Sequence, residues 1–164
     1  KGAQGLAFFA QDYDTGYLAI ERSLKISPNS NQVIVGAAHF FLYRCEPARA
    51  LELLHRAIRR SPLDPQLGWI MGGVASAHLM NGSYQEALEW AKNALDRAPK
   101  YGPAHRAKIV ALWMLGRHDA AHTAASAFLD LVPGTSIGPR SKLYRDKAFG
   151  KLYTDALRSA GLPD

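Results

Sequence analysis

Cysteine is nearly absent from this chain of 164 residues, and the lone Cys45 excludes an intramolecular disulfide and any zinc centre built on cysteines. Long apolar runs are also missing. The stretch poorest in charge, residues 63–84, is broken by Asp64, Pro65, His78 and Asn81. It is a poor match to the roughly 20 mainly apolar residues that a bilayer span needs. No glycine-rich phosphate loop, no G-x-S-x-G elbow and no cysteine–histidine or carboxylate pair stands in a catalytic setting. The glycine pair in "IMGGVASA" falls inside an expected helix, where Gly72 and Gly73 serve close packing. These absences point away from an enzyme, a bound cofactor and a membrane protein. No signal peptide opens the sequence, which begins on Lys1 and is expected to continue upstream.

What is present is an ordinary globular composition, 48% hydrophobic and 21% charged, with a net charge of +6. That supports one domain with a sizeable core. The basic excess gathers near the end, at Arg140, Lys142, Arg145, Lys147, Lys151 and Arg158. Its charges are scattered round an amphipathic pattern, as on a solvated helix face. They lack the dense, aromatic-interleaved patch that nucleic-acid binding calls for.

The informative signal is periodic. Pro28, Pro62, Pro99 and Pro133 are spaced by 34, 37 and 34 residues. Twelve positions before them stand Gly16, Ala50, Ala87 and Ala121; eight before, Ile20, Leu54, Ala91 and Ala125; five before, Ser23, Ala57, Ala94 and Phe128. A short insertion around "LDPQ" accounts for the longer middle step. Each unit reads as two helices joined by a short turn, at Arg44–Pro47, Asn81–Ser83 and Gly116–Asp119. The small residues let the helices approach, and the proline closes the second helix. "GSYQEALEWAKNALDRAP" is one such second half, with Ala87, Leu88, Ala91, Ala94 and Leu95 on one stripe.

The 34-residue period and the turn Gly82, Tyr84, Glu86, Ala87 resemble the tetratricopeptide repeat (TPR) family, whose unit is a helix–turn–helix of this length. The resemblance implies an all-α TPR superhelix, right-handed, with a truncated leading repeat at 1–30, repeats at 31–64, 65–101 and 102–135, and a capping segment at 136–164. Within that segment a short helix is expected near Pro139. A longer one follows, with Phe149, Leu152, Tyr153, Ala156, Leu157 and Ala160 on its face, ending at Gly161. Lys108 departs from the pattern, standing where the family has an apolar residue. The ending "LRSAGLP" is similar to the tails of bacterial proteins in which such repeats follow a class III nucleotide-cyclase domain or a winged-helix DNA-binding domain.

In that family a concave face lined by the first helices receives a peptide or helix. Carried over, the resemblance assigns the groove to Gln32, His39 and Tyr43 of one unit, Trp69, Ser76 and Met80 of the next, and Arg106, Val110 and Trp113 of the third. Val35, Gly72 and Leu79 fall at neighbouring groove positions. Aromatic and methionine surface suits adaptable apolar contact, and Arg106 suits a carboxylate. The family's chaperone-binding members use Lys and Asn where this chain has Val35 and His39, Gly72 and Ser76, Arg106 and Val110, so chaperone-tail recognition is not expected.

The expected function is non-catalytic protein–protein or interdomain recognition, in the cytoplasm, as the regulatory part of a larger bacterial protein such as a nucleotide cyclase. The partner is a protein, a peptide or another domain of the parent chain, with a homodimer as the alternative; neither nucleic acid nor membrane is expected. "HDAAH" sets His118 and His122 one helical turn apart, as in zinc proteases, but Asp119 is too short for that motif's base. A metal-binding protein using this pair is the remote alternative.

Overall fold

A computed structural model describes residues 13–164, and among these residues there are eight α-helices and no strand. The helices are α1 (Tyr13–Ile26), α2 (Asn31–Tyr43), α3 (Pro47–Arg60), α4 (Leu67–Met80), α5 (Tyr84–Arg97), α6 (Gly102–Met114), α7 (His118–Leu131) and α8 (Lys147–Ser159). Residues 1–12, the start of the expected leading repeat, lie outside the described range.

Proline decides where the second helices stop. A residue before proline is disfavoured in the helical region. Ser61, Ala98 and Val132, which precede Pro62, Pro99 and Pro133, accordingly share one extended conformation, with φ/ψ of −139/73°, −136/76° and −132/80°. Three chemically different residues thus make the same exit from a helix. Proline also opens helices, at Pro47 in α3 and Pro103 in α6, where the missing N–H leaves nothing unsatisfied. The turns inside the hairpins repeat as well. Gly82 and Gly116 both take φ +72°, and the equivalent place between α2 and α3 is held by Cys45 at φ +57°. Cys45 is the only non-glycine residue at positive φ among those described.

The hairpins α2–α3, α4–α5 and α6–α7 stack side by side, giving an inner row (α2, α4, α6) and an outer row (α3, α5, α7). Each inner helix packs on its own partner, on the neighbouring inner helices and, for α4 and α6, on the preceding outer helix. Periodic small residues make this possible. Ala50, Ala57, Ala87, Ala91, Ala94 and Ala121 are all fully buried. Larger groups fill the remaining space: Phe40, Phe41, Leu54 and Ile70 in one cluster, and Leu88, Ile109 and Phe128 in the next. Trp90 packs against both clusters and joins them. Lys108 is half-buried without disrupting α6.

After α7 the chain leaves the repeat pattern. The short helix expected near Pro139 is one turn of 3-10 helix, Arg140–Lys142. The Asp146 carboxylate then caps α8 by accepting from the Ala148 and Phe149 N–H groups. α8 packs on α6, burying Tyr153, Ala156, Leu157 and Ala160. Leu152 does not share that face and is 36% exposed. It lies roughly 90° round the helix from the stripe's centre at 100° per residue, beyond the reach of α6. Gly161, at φ +104°, turns the tail so that Ile137 N–H donates to the Pro163 carbonyl at 2.7 Å. The segment before α8 runs back across the inner row, where Arg145 N–H donates to the Tyr43 carbonyl at the end of α2 (2.9 Å). None of the described helices is long and apolar enough to cross a membrane.

Candidate functional site

The inner row and the returning segment enclose a pocket of about 230 Å³. α2 contributes His39, Leu42 and Tyr43; α4 contributes Gly72, Gly73, Ser76 and Met80; Tyr101, Pro103 and Arg106 come from the start of α6. The far wall is Arg140, Leu143 and Tyr144 of the segment, with Tyr153 of α8. Five of the residues assigned from the sequence, His39, Tyr43, Ser76, Met80 and Arg106, therefore meet in one cavity.

The other four do not join them. Gln32 is exposed at the start of α2. Trp69 is 50% exposed and stacks on Tyr101 (centroids 5.9 Å apart) outside the pocket, beside a shallow depression lined by Ala98, Pro99 and Lys100. Val110 has no exposed surface, because α8 covers α6 and Val110 joins the same buried cluster as Tyr153 and Leu157. Trp113 is half-buried against His118, with ring centroids 4.2 Å apart. On α6 it is Arg106, and not the Val110 side chain, that lines the cavity.

The pocket surface is mainly apolar, with a few polar groups set into it. Arg106 is only 7% exposed, its guanidinium lies 5.3 Å above the Phe128 ring, and its Nη2 donates to the Ser136 carbonyl at 3.1 Å. Its buried Nε has no hydrogen-bond partner. A Cβ on Gly102 would come within 2.8 Å of Arg106 Nη1, so glycine there makes room for the guanidinium. Arg140 donates to the same Ser136 carbonyl at 3.1 Å and to that of Ile137. Burial and the neighbouring Arg140 lower the Arg106 pKa, while Tyr153 and Tyr144 oppose the shift.

Burial pushes the hydroxyls of Tyr101 and Tyr153 up to about 12 and that of Tyr144 well above its ordinary value, so all three remain protonated donors at neutral pH. Burial likewise lowers the His39 pKa, against the raising effect of its hydrogen bond to Val35. Its Nδ1 lies 2.9 Å from the Val35 carbonyl, which can only accept, so the proton sits on Nδ1 and Nε2 is left as an acceptor.

Tyr101, Arg140, Leu143, Tyr144 and Tyr153 had no place in the groove read from the sequence, since the carried-over positions lie only on first helices. The echo of "SKLYRD" in "GKLYTD", which repeats a leucine–tyrosine pair inside a polar stretch, was the available signal.

His118 and His122 flank Trp113, one stacked and the other edge-on with centroids 5.8 Å apart. His122 Nδ1 lies 3.0 Å from the Ala160 carbonyl, so that ring ties α7 to the end of α8. Among the described residues no group of three or more His, Cys, Asp or Glu is placed to hold a metal ion.

The sequence profile of the tetratricopeptide repeat matches residues 37–102 and 75–135. Two crystal structures of MamA superpose with TM-scores of 0.64 and 0.63, both at 21% identity over 92% of this chain, covering 88% and 82% of the respective MamA chains. A third, of MamA AMB-1, gives 0.60 at 19% identity over 98% of this chain and 82% of that one. At such identities the likeness is one of fold. Among curated proteins none matches.

Proposed function

The chain belongs to the tetratricopeptide repeat family, whose repeats mediate protein–protein interaction, and on that premise we propose that it is a non-catalytic recognition module that docks a peptide or helix along its inner row. The observation that supports this most is the pocket itself, to which three successive inner helices each contribute side chains. Leu42, Met80 and the tyrosine rings offer adaptable apolar contact, while Ser76, His39 and Arg106 offer polar specificity. Trp69 and Gln32, exposed at the starts of α4 and α2, extend the same row and lengthen the surface a bound segment can follow.

Further readings go with this one. The module is the regulatory part of a larger cytoplasmic bacterial protein such as a nucleotide cyclase, and its ligand is another protein or another domain of that chain. Immunoblotting of the native protein tests this, since a band at the mass of these 164 residues removes the parent-chain reading. For the groove, a random dodecapeptide library displayed against the protein is the direct test. Recovered peptides should lose at least tenfold in affinity when Ser76→Trp fills the pocket and should ignore Glu89→Lys on the outer row. Peptides indifferent to Ser76→Trp, with the helical spectrum of that variant intact, would remove the groove as the binding surface.

A further inference from the structure

Two guanidinium groups, Arg106 and Arg140, converge on a single neutral acceptor, the Ser136 carbonyl, each at 3.1 Å. Among the described residues no aspartate or glutamate lines the pocket that they share, and neither arginine makes a salt bridge. Arginine does not lose its proton in proteins, so both charges are present at every working pH. Arg106 is buried and Arg140 half-exposed beside it, and a buried charge next to a like charge is unfavourable unless something negative compensates it. Arg106 keeps one N–H, at Nε, buried and unpartnered.

We propose that this pocket is a receptor for one oxyanion, a carboxylate or phosphate group held between Arg106 and Arg140 and bonded by the surrounding tyrosine hydroxyls. A guanidinium presents its donors in a planar fork that matches such groups, and two forks can hold different oxygens of one anion. Tyr101, Tyr144 and Tyr153 stay protonated and can donate. The volume of about 230 Å³ is several times the roughly 30 Å³ share of a water molecule. A phosphate or the end of an acidic side chain fits within it. Arg106 comes from a repeat and Arg140 from the segment after the repeats, so the anion would fasten that segment to the inner row. This deepens the groove reading by naming the chemistry at its centre, an acidic group on the docked partner or a free acid of the same kind.

The experiment is thermal unfolding of the whole chain with increasing inorganic phosphate or succinate, against sodium chloride at matched ionic strength. Saturation at about ten times Kd should raise Tm by some 3 °C or more. Arg106→Gln and Arg140→Gln should each abolish the rise, and Lys92→Gln on the outer row should leave it intact. Arg140 lies in the half-exposed 3-10 turn, so its variant keeps the test open if Arg106→Gln does not fold. Two pentapeptides, Ac-Ala-Ala-Glu-Ala-Ala-NH2 and its glutamine counterpart, separate the sources. Selective binding of the first assigns the anion to a partner's side chain, and a response to succinate or phosphate alone assigns it to a free acid; both support the site. No saturable rise over chloride, or an equal rise in Arg140→Gln, overturns it. Peptides recovered from the library that bind with no anion response would sink this inference alone. An anion response with peptides indifferent to Ser76→Trp would sink the groove reading alone.

Discussion

The inner and outer rows are built from opposite materials. α2 and α4 contain no Asp, Glu, Lys or Arg, whereas their partner α3 carries Arg49, Glu52, Arg56, Arg59 and Arg60, and α5 carries Glu86, Glu89, Lys92, Asp96 and Arg97. An outer helix has one dry side and one wet side, so its sequence shows a sharp 3.6-residue stripe. An inner helix is enclosed by helices on several sides, and in α6 by α8 as well, so its stripe disappears. The difference teaches where charge means something. On outer helices α3 and α5 charge is the default, and on the inner row only Arg106 and Lys108, both in α6, depart from the uncharged composition.

The sharpest way to break this comparison is by deletion. Phe40→Ala, at a fully buried inner position, should cost about 3–5 kcal/mol in urea unfolding. Glu89→Ala on the outer row should stay within about 0.5 kcal/mol. Comparable losses at the two sites would mean that the rows are not distinct environments. Crowding comes next. A Cβ on Gly68 would lie 2.8 Å from Ala98 Cβ and 3.1 Å from the Ala94 carbonyl, much of it backbone that cannot yield, so Gly68→Ala should cost about 1–3 kcal/mol. On Gly72 the Cβ would meet the Tyr101 ring at 2.6 Å, and a side chain can swing away. Gly72→Ala should therefore cost less and announce itself as a change in Trp69 fluorescence, since Tyr101 leaves its stack.

The hairpin turns supply a smaller effect of opposite sign. Cys45 holds a left-handed conformation that its two counterparts give to glycine. Cys45→Gly should stabilise the protein by about 1 kcal/mol, less whatever is lost where the half-buried thiol meets the main chain of Arg145 and Asp146. Gly82→Ala should destabilise by a similar amount, read from the same denaturation curves. The smallest effect concerns acid. His39 has a lowered pKa when folded, so between that value and the ordinary 6.5 the unfolded chain binds more protons. Stability should thus fall as pH drops below about 6.5, and His39→Gln should flatten the decline.

Much of the fold was legible because it is written in local rules. Proline before a unit boundary, an alanine at each helix crossing and glycine in a turn act within a few residues, and they repeat. The face of α8 was legible for the same reason, apart from Leu152. The pocket was only half legible. Family positions on the first helices located His39, Tyr43, Ser76, Met80 and Arg106, because those positions follow from register. They misplaced Val110, since register cannot say that α8 will lie over α6. They passed over Arg140 and Tyr144, which reach the inner row through a return of the chain that no periodicity encodes. Arg140 in particular read as one more charge on a solvated basic stretch.

A stack whose units touch only their neighbours can melt from its ends, one unit at a time. The hydrogen bond from Arg145 to the Tyr43 carbonyl changes that, because it joins the chain's last segment to a hairpin that is not its neighbour. The linear array becomes a closed circuit. Fraying of the C-terminal segment breaks this bond to the end of α2, and loosening of that end releases the segment. Amide exchange in α2 and α8 should accordingly slow and quicken together, and a protein built of repeats should unfold as one cooperative body.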